Sequence, residues 1–169
     1  QSQKEQEALH EAVRTADLIT TAVGPNIVPI IGKALAQGIK ARLAKEEVKP
    51  FSIIACENAV GSTQVLKEAL YGQLTKEEIH KAEAFIGFPN SAVDRIVPLQ
   101  VNENILDVQV EPFFEWVVEK NALKGDLGSL QGVHYVEDLA PYIERKLFTV
   151  NTGHAATAYF GLLKGHQTV

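Results

Sequence analysis

The sequence predicts an α/β fold in which a doubly wound parallel sheet of Rossmann type leads into a second lobe that ends in a long helix. Two apolar, β-branched runs, DLITTAV at 17–23 and FSIIAC at 51–56, read as strands covered on both faces. Helical text lies before, between and after them, which is the order of crossover-linked βαβ units. From Asp138 onward the period turns helical again.

Each element follows from local chemistry. KEQEALHEAVRTA at 4–16 sets Leu9 and Val13 four apart among charges, the pattern of a one-sided helix. The first strand stops at Gly24-Pro25-Asn26, where Asn26 is expected to cap the next helix, whose Ile27, Ile30, Ile31, Ala34 and Leu35 recur at helical spacing to about Gln37 or beyond. VLKEALYG is a short helix ending at Gly72, and TKEEIHKAEAF carries a capping box from Thr75 to Glu78. AFIGFPNSAVDRIVP (84–98) reads as one strand bent at Pro89, with a lobe boundary at Pro98. VQVEPFFEWVVEKN (108–121) alternates on both sides of Pro112, as exposed-edge or antiparallel strands do. After the glycine-punctuated KGDLGSLQG comes the last helix, with Asp138 as its cap, Pro141 in the first turn and Ile143, Leu147 and Val150 as its apolar stripe.

Composition narrows the function. The chain has 169 residues, a net charge of −5 and 46% hydrophobic residues, enough apolar surface for one substantial core or two small lobes. An acidic chain is a poor general nucleic-acid binder, although a local basic pocket can still take an anionic small molecule. No apolar run approaches the roughly 20 residues of a membrane span, and a lone Cys56 permits no intramolecular disulfide and fits a reducing compartment. No histidine or cysteine cluster has zinc spacing, so no metal is expected. A cytoplasmic location, no nucleic-acid or membrane partner and a monomer or weak homo-oligomer are the corresponding expectations. The chain opens at Gln1, contains no methionine, and begins with text that reads as the second half of a helix, so a piece of a longer protein is expected.

The chemistry-bearing residues concentrate in two places. On an ideal helix of about 100° per residue, Lys146, Asn151 and His154 point near about 0°, 140° and 80°, one broad face with the histidine between the others. A cation, an amide and an imidazole converging there can hold a polyhydroxylated substrate and move one proton; the plainer alternative is a solvated lysine with its neighbours satisfied locally. Gly153, at mid-helix, costs about 1 kcal/mol against alanine unless close packing or a ligand requires it. The second place is the carboxyl end of the strand 51–56, where ligands bind in open parallel sheets. There Asn58 can donate to a developing alkoxide and Glu57 can take a ribose hydroxyl, with Gly24, Pro25 and Asn26 placed to pass a cofactor; an ordinary polar turn is the alternative. Asp94 and Arg95 form either a structural ion pair or, through Asp94, a support for Lys146.

The string ERKLFTVNTGHAATAYFG, with its K-x4-N-x2-H core, resembles the signature of the polyol-specific long-chain dehydrogenases, the mannitol dehydrogenase family. FPNSAVDRIVP and IACEN resemble two further blocks in the same order, and the resemblance runs from 15 to 169. It implies the later part of a Rossmann-type domain (1–98) joined to the start of a mostly helical substrate domain (99–169). It further implies an oxidoreductase that uses NAD to interconvert D-mannitol 1-phosphate and D-fructose 6-phosphate, with free mannitol or a hexuronate as alternative substrates; a noncatalytic αβ binding fragment is the remaining alternative. Carried over by position, Lys146 is the general base, Asn151 and Asn58 stabilise the reacting oxygen, His154 holds a substrate hydroxyl, and Asp94 supports the lysine and proton exit. Arg145, Lys164 and His166 are the candidates for the sugar phosphate. The departures are the missing G-x-G-x-x-G, which the resemblance places upstream of Gln1, and a short stretch at 60–63.

Overall fold

In the computed structural model, helix α1 (Gln3–Thr15) leads to strand β1 (Leu18–Thr21), α2 (Val28–Leu43), β2 (Phe51–Ala55), α3 (Ser62–Tyr71), α4 (Lys76–Phe85) and β3 (Ile86–Gly87). The structure describes residues 3–128 and 130–168; outside them lie Gln1 and Ser2 of the opening helical text, Ser129 of the glycine-punctuated turn, and Val169.

The three strands make one parallel sheet in the order β1-β2-β3, with Leu18 opposite Ser52 and Phe51 opposite Ile86. β2 lies in the middle and is buried at every position, as its continuous apolar run requires. Against it pack Val28, Leu35 and Ile39 of α2 and Leu66 and Leu70 of α3, each contributing about 1.5–3 kcal/mol of burial. Helices α2 and α3 touch closely at Gly32: a Cβ there would stand 2.7 Å from the Leu66 carbonyl oxygen and 2.9 Å from the Ala69 Cβ. Buried Arg42 closes the far end of this layer. Its guanidinium donates to the carbonyls of Val13 and Ala16, acceptors that the end of α1 leaves open, and to that of Lys49 just before β2, and lies 3.6 Å from the centre of the Phe51 ring.

The capping box forms as expected: Glu78 N–H donates to Thr75 Oγ1 at 3.2 Å and Thr75 N–H to Glu78 Oε2 at 2.7 Å. Asn26, by contrast, is not a cap. Residues 24–27 form a turn in which Ile27 N–H donates to the Gly24 carbonyl at 3.0 Å, and Ile27 itself precedes the helix. Pro29 in the first turn has no N–H, which removes one of the donors a cap would serve.

The text at 84–98 is two strands in two sheets, not one bent strand. β3 ends at Gly87, Pro89 has no N–H to give a ladder, and β4 (Ser91–Asp94) pairs antiparallel with β5 (Glu115–Glu119), Ala92 opposite Val117. Only the second half of 108–121 is a strand, because Pro112 interrupts the donors before it. β5 is also not an edge: β6 (Val133–Val136), too short for its period to be read in sequence, pairs parallel on its other side. Pro98, the expected lobe boundary, stands in the connection between β4 and β5 of this second sheet.

One face of the second sheet is covered by α5 (Ala140–Arg145), with Leu139, Tyr142 and Ile143 packed on Ala92 and Val117. Leu139 holds the N-cap position, while Asp138 Oδ1 accepts from Ala140 N–H at 2.9 Å, and Pro141 sits in the first turn. The helix then widens into a π-helical stretch, Lys146–Asn151, before α6 (Thr152–Leu163). Among the described residues no helix is long and apolar enough to cross a membrane.

Candidate active site

The site forms where the carboxyl end of the first sheet meets the widened helix. The β1–β2 ladder ends at Thr21 and Ala55, and Cys56 N–H adds one more bond to the Thr21 carbonyl at 2.9 Å. The chain then turns through Glu57 and Asn58 into α3, with the Thr63 hydroxyl accepting from Ala55 N–H at 3.0 Å. This turn carries Asn58 to the edge of the second lobe, where its Oδ1 accepts from Lys146 Nζ at 2.7 Å across 88 positions of sequence.

The π-helical stretch explains how the other groups arrive. On an α-helix Lys146 and Asn151 would sit at the two margins of that broad face, about 140° apart, whereas i→i+5 hydrogen bonding narrows the angle between residues five apart. The stretch is closed at Thr152, whose N–H and hydroxyl both donate to the Leu147 carbonyl, the hydroxyl at 2.8 Å. Lys146, Asn151 and His154 thereby line one cleft of about 340 Å³ together with Asn58, Asp94, Arg95 and Cys56. Lys146, Asn151 and Asp94 are half-buried, and Asn58 and His154 are exposed.

Other predicted residues stand elsewhere or act differently. Glu57 is buried, and both of its oxygens are taken by its own chain: Oε1 accepts from the Thr21 hydroxyl at 2.8 Å and Val23 N–H at 3.1 Å, and Oε2 from Gly24 N–H at 2.7 Å. Gly24 has φ +89°, and a Cβ on it would meet nothing within 4 Å, so the loop opens on free space. Pro25 and Asn26 are exposed beside it. Arg145 turns away from the cleft to pair with Glu115 and lies 5.4 Å from the Tyr142 ring centre. Lys164 and His166, at the other end of α6, do not line the cleft. Gly153 also faces open space, with no close packing in this chain.

Arg95 is a second cation on the cleft wall, a place for which its sequence position beside Asp94 offers no signal. It does not bridge to Asp94; its guanidinium instead donates to the Glu111 carbonyl at 3.2 and 3.0 Å. Burial pushes the Cys56 thiol above its ordinary range, the nearby Glu57 charge adds to this, and a hydrogen bond with Ser91 opposes it. Among the described residues no group of three or more His, Cys, Asp and Glu side chains is placed to hold a metal ion.

Residues 1–132 match the family model of the mannitol dehydrogenase Rossmann domain, and residues 138–169 that of the mannitol dehydrogenase C-terminal domain. The chain is 52% identical over 166 residues to a mannitol-1-phosphate 5-dehydrogenase of Oceanobacillus iheyensis, covering 98% of this chain and 43% of the relative. It is 56% identical over 162 residues to one of Brevibacillus brevis, covering 96% and 42%. Its fold is similar to that of Pseudomonas fluorescens mannitol 2-dehydrogenase in a ternary complex with NAD and D-mannitol, with a TM-score of 0.72, 22% identity and coverage of 95% and 41%. A substrate-free D-sorbitol dehydrogenase gives a TM-score of 0.76 at 19% identity, covering 95% of this chain and 42% of that one. The chain thus spans about 43% of the length of its curated relatives, and with both family models matched it belongs to the mannitol dehydrogenase family.

Proposed function

We propose that the protein is an NAD-dependent dehydrogenase interconverting D-mannitol 1-phosphate and D-fructose 6-phosphate, working in the cytoplasm as a monomer or weak homo-oligomer. The observation that carries this reading is the Lys146–Asn58 contact of 2.7 Å in a cleft also lined by Asn151 and His154, beyond the carboxyl end of a parallel sheet. The names of the relatives support the choice of substrate.

The residues present fit the nicotinamide side of a dinucleotide, because the Gly24 loop leaves open space at the end of the sheet. Gly24, Pro25, Asn26 and Asn58 would hold it there, with Glu57 acting through the loop. NAD, when bound, supplies the hydride acceptor. Lys146 Nζ takes the proton of the substrate hydroxyl in oxidation and returns it in reduction. Asn58 spends its oxygen on Lys146 and so directs its amide N–H groups outward, where with Asn151 they donate to the reacting oxygen. His154 holds a substrate hydroxyl, and Asp94 supports the lysine and the path by which the proton leaves.

Kinetics of the full-length protein test this reading. kcat/KM for mannitol 1-phosphate is expected to exceed that for mannitol by at least about a hundredfold, since a charge-assisted contact is worth more than a neutral one. Comparable values point to the free polyol. Lys146→Ala is expected to lower kcat by roughly 10²- to 10⁴-fold and remove the rising limb of the oxidation pH profile. A variant keeping more than about a tenth of kcat with its limb intact takes Lys146 out of the mechanism.

A further inference from the structure

Glu57 is a buried acidic side chain that takes no part in the proposed proton transfer. The residue is 6% exposed, and among the described residues no lysine or arginine forms an ion pair with it. A carboxylate in such a place is costly unless its oxygens are saturated with hydrogen bonds. Here they accept from the Thr21 hydroxyl at the carboxyl end of β1 and from Val23 N–H and Gly24 N–H in the loop that follows it. The backbone ladder between β1 and β2 has run out by this point, so the carboxylate continues the joint between the two chains as they leave the sheet. The next residue, Asn58, is the one that Lys146 reaches.

We propose that Glu57 is a positioning residue that fixes the Val23-Gly24 turn against the end of β2, setting the cofactor-side wall in register with the Asn58–Lys146 pair. The proposal rests on the reading that the turn faces an NAD-type dinucleotide. Because the Val23 and Gly24 N–H groups already donate to a carboxylate, they are not available to a phosphate, and the turn serves as an ordered wall for an uncharged or cationic part of the ligand.

The test uses the full-length enzyme with Glu57→Gln. A glutamine keeps one carbonyl acceptor but sets its amide donors against the Gly24 N–H. Hydrogen exchange at Val23 and Gly24 is expected to quicken by about tenfold or more, and calorimetric titration should show NAD binding weakened by about tenfold. The KM for the polyol phosphate is expected to stay near wild type. Thr21→Val removes a single donor and gives a smaller change in the same direction, which keeps the test available if the glutamine variant does not fold. Unchanged exchange at these amides, or unchanged NAD affinity despite faster exchange, overturns the proposal. A wild-type enzyme that binds no NAD overturns the functional reading instead, and the exchange measurement still decides whether the clamp exists.

Discussion

Individual polar side chains at the site are held by partners far away in sequence. Lys146 finds Asn58, Glu57 finds Gly24, and Ser91 donates from Oγ to the Ala55 carbonyl at 3.0 Å. Tyr71 shows the opposite condition: its hydroxyl is buried with no hydrogen-bond partner among the described residues. Burial, and then the charge of Glu83, push its pKa from the ordinary 10.0 up to about 12. A pKa raised on folding means that the neutral phenol contributes stability fully present below pH 10 and lost as the pH rises through about 12. Ultraviolet titration should therefore show a late tyrosine step that Tyr71→Phe removes. The same substitution should leave stability at neutral pH unchanged or slightly higher, because the hydroxyl it removes is unsatisfied.

Among the secondary-structure elements, the π-helical stretch decides the shape of the site. Thr152 holds the wide turn through the 2.8 Å bond from its hydroxyl to the Leu147 carbonyl, adding to the backbone bond at the same oxygen. Thr152→Val keeps the shape of the side chain and loses that donor. The turn is then free to tighten toward α-helical spacing, which swings Asn151 away from Lys146. In the full-length enzyme kcat is expected to fall by about tenfold, the loss of one net hydrogen bond's worth of positioning, with the melting temperature nearly unchanged. Thr152→Ser should restore the rate. A valine variant with wild-type kcat would show that the backbone bond alone holds the turn.

Over the molecule as a whole, buried polar ties join the first sheet to the segments of the second lobe. Ser52, fully buried in β2, accepts from Lys124 N–H at 2.9 Å and donates to the Lys124 carbonyl at 2.8 Å. Nearby, Gly87 leaves no room for a side chain: a Cβ would stand 2.5 Å from Lys124 N and 2.6 Å from the Ala122 carbonyl oxygen. Ser52→Ala strands a donor and an acceptor in a buried joint, and is expected to cost about 1–3 kcal/mol in denaturant unfolding. A loss below about 0.5 kcal/mol would mean that water replaces the hydroxyl.

The βαβ order, the buried central strand, the Thr75–Glu78 capping box and the K-x4-N-x2-H string were all legible in the amino-acid order, because periodicity, capping and motif spacing are local. That one apolar text divides between two sheets at Pro89, and that a four-residue strand completes the second sheet, were not, because pairing is settled by partners rather than by a strand's own residues. Nor does helical spacing reveal a π-helical stretch, since counting directions at a fixed angle per residue assumes an α-helix. Glu57 is the clearest case. Its identity and its place after a strand could be read directly, but whether its oxygens face a ligand or the chain depended on where β1 ends in space, and that is set only when the parallel ladder forms.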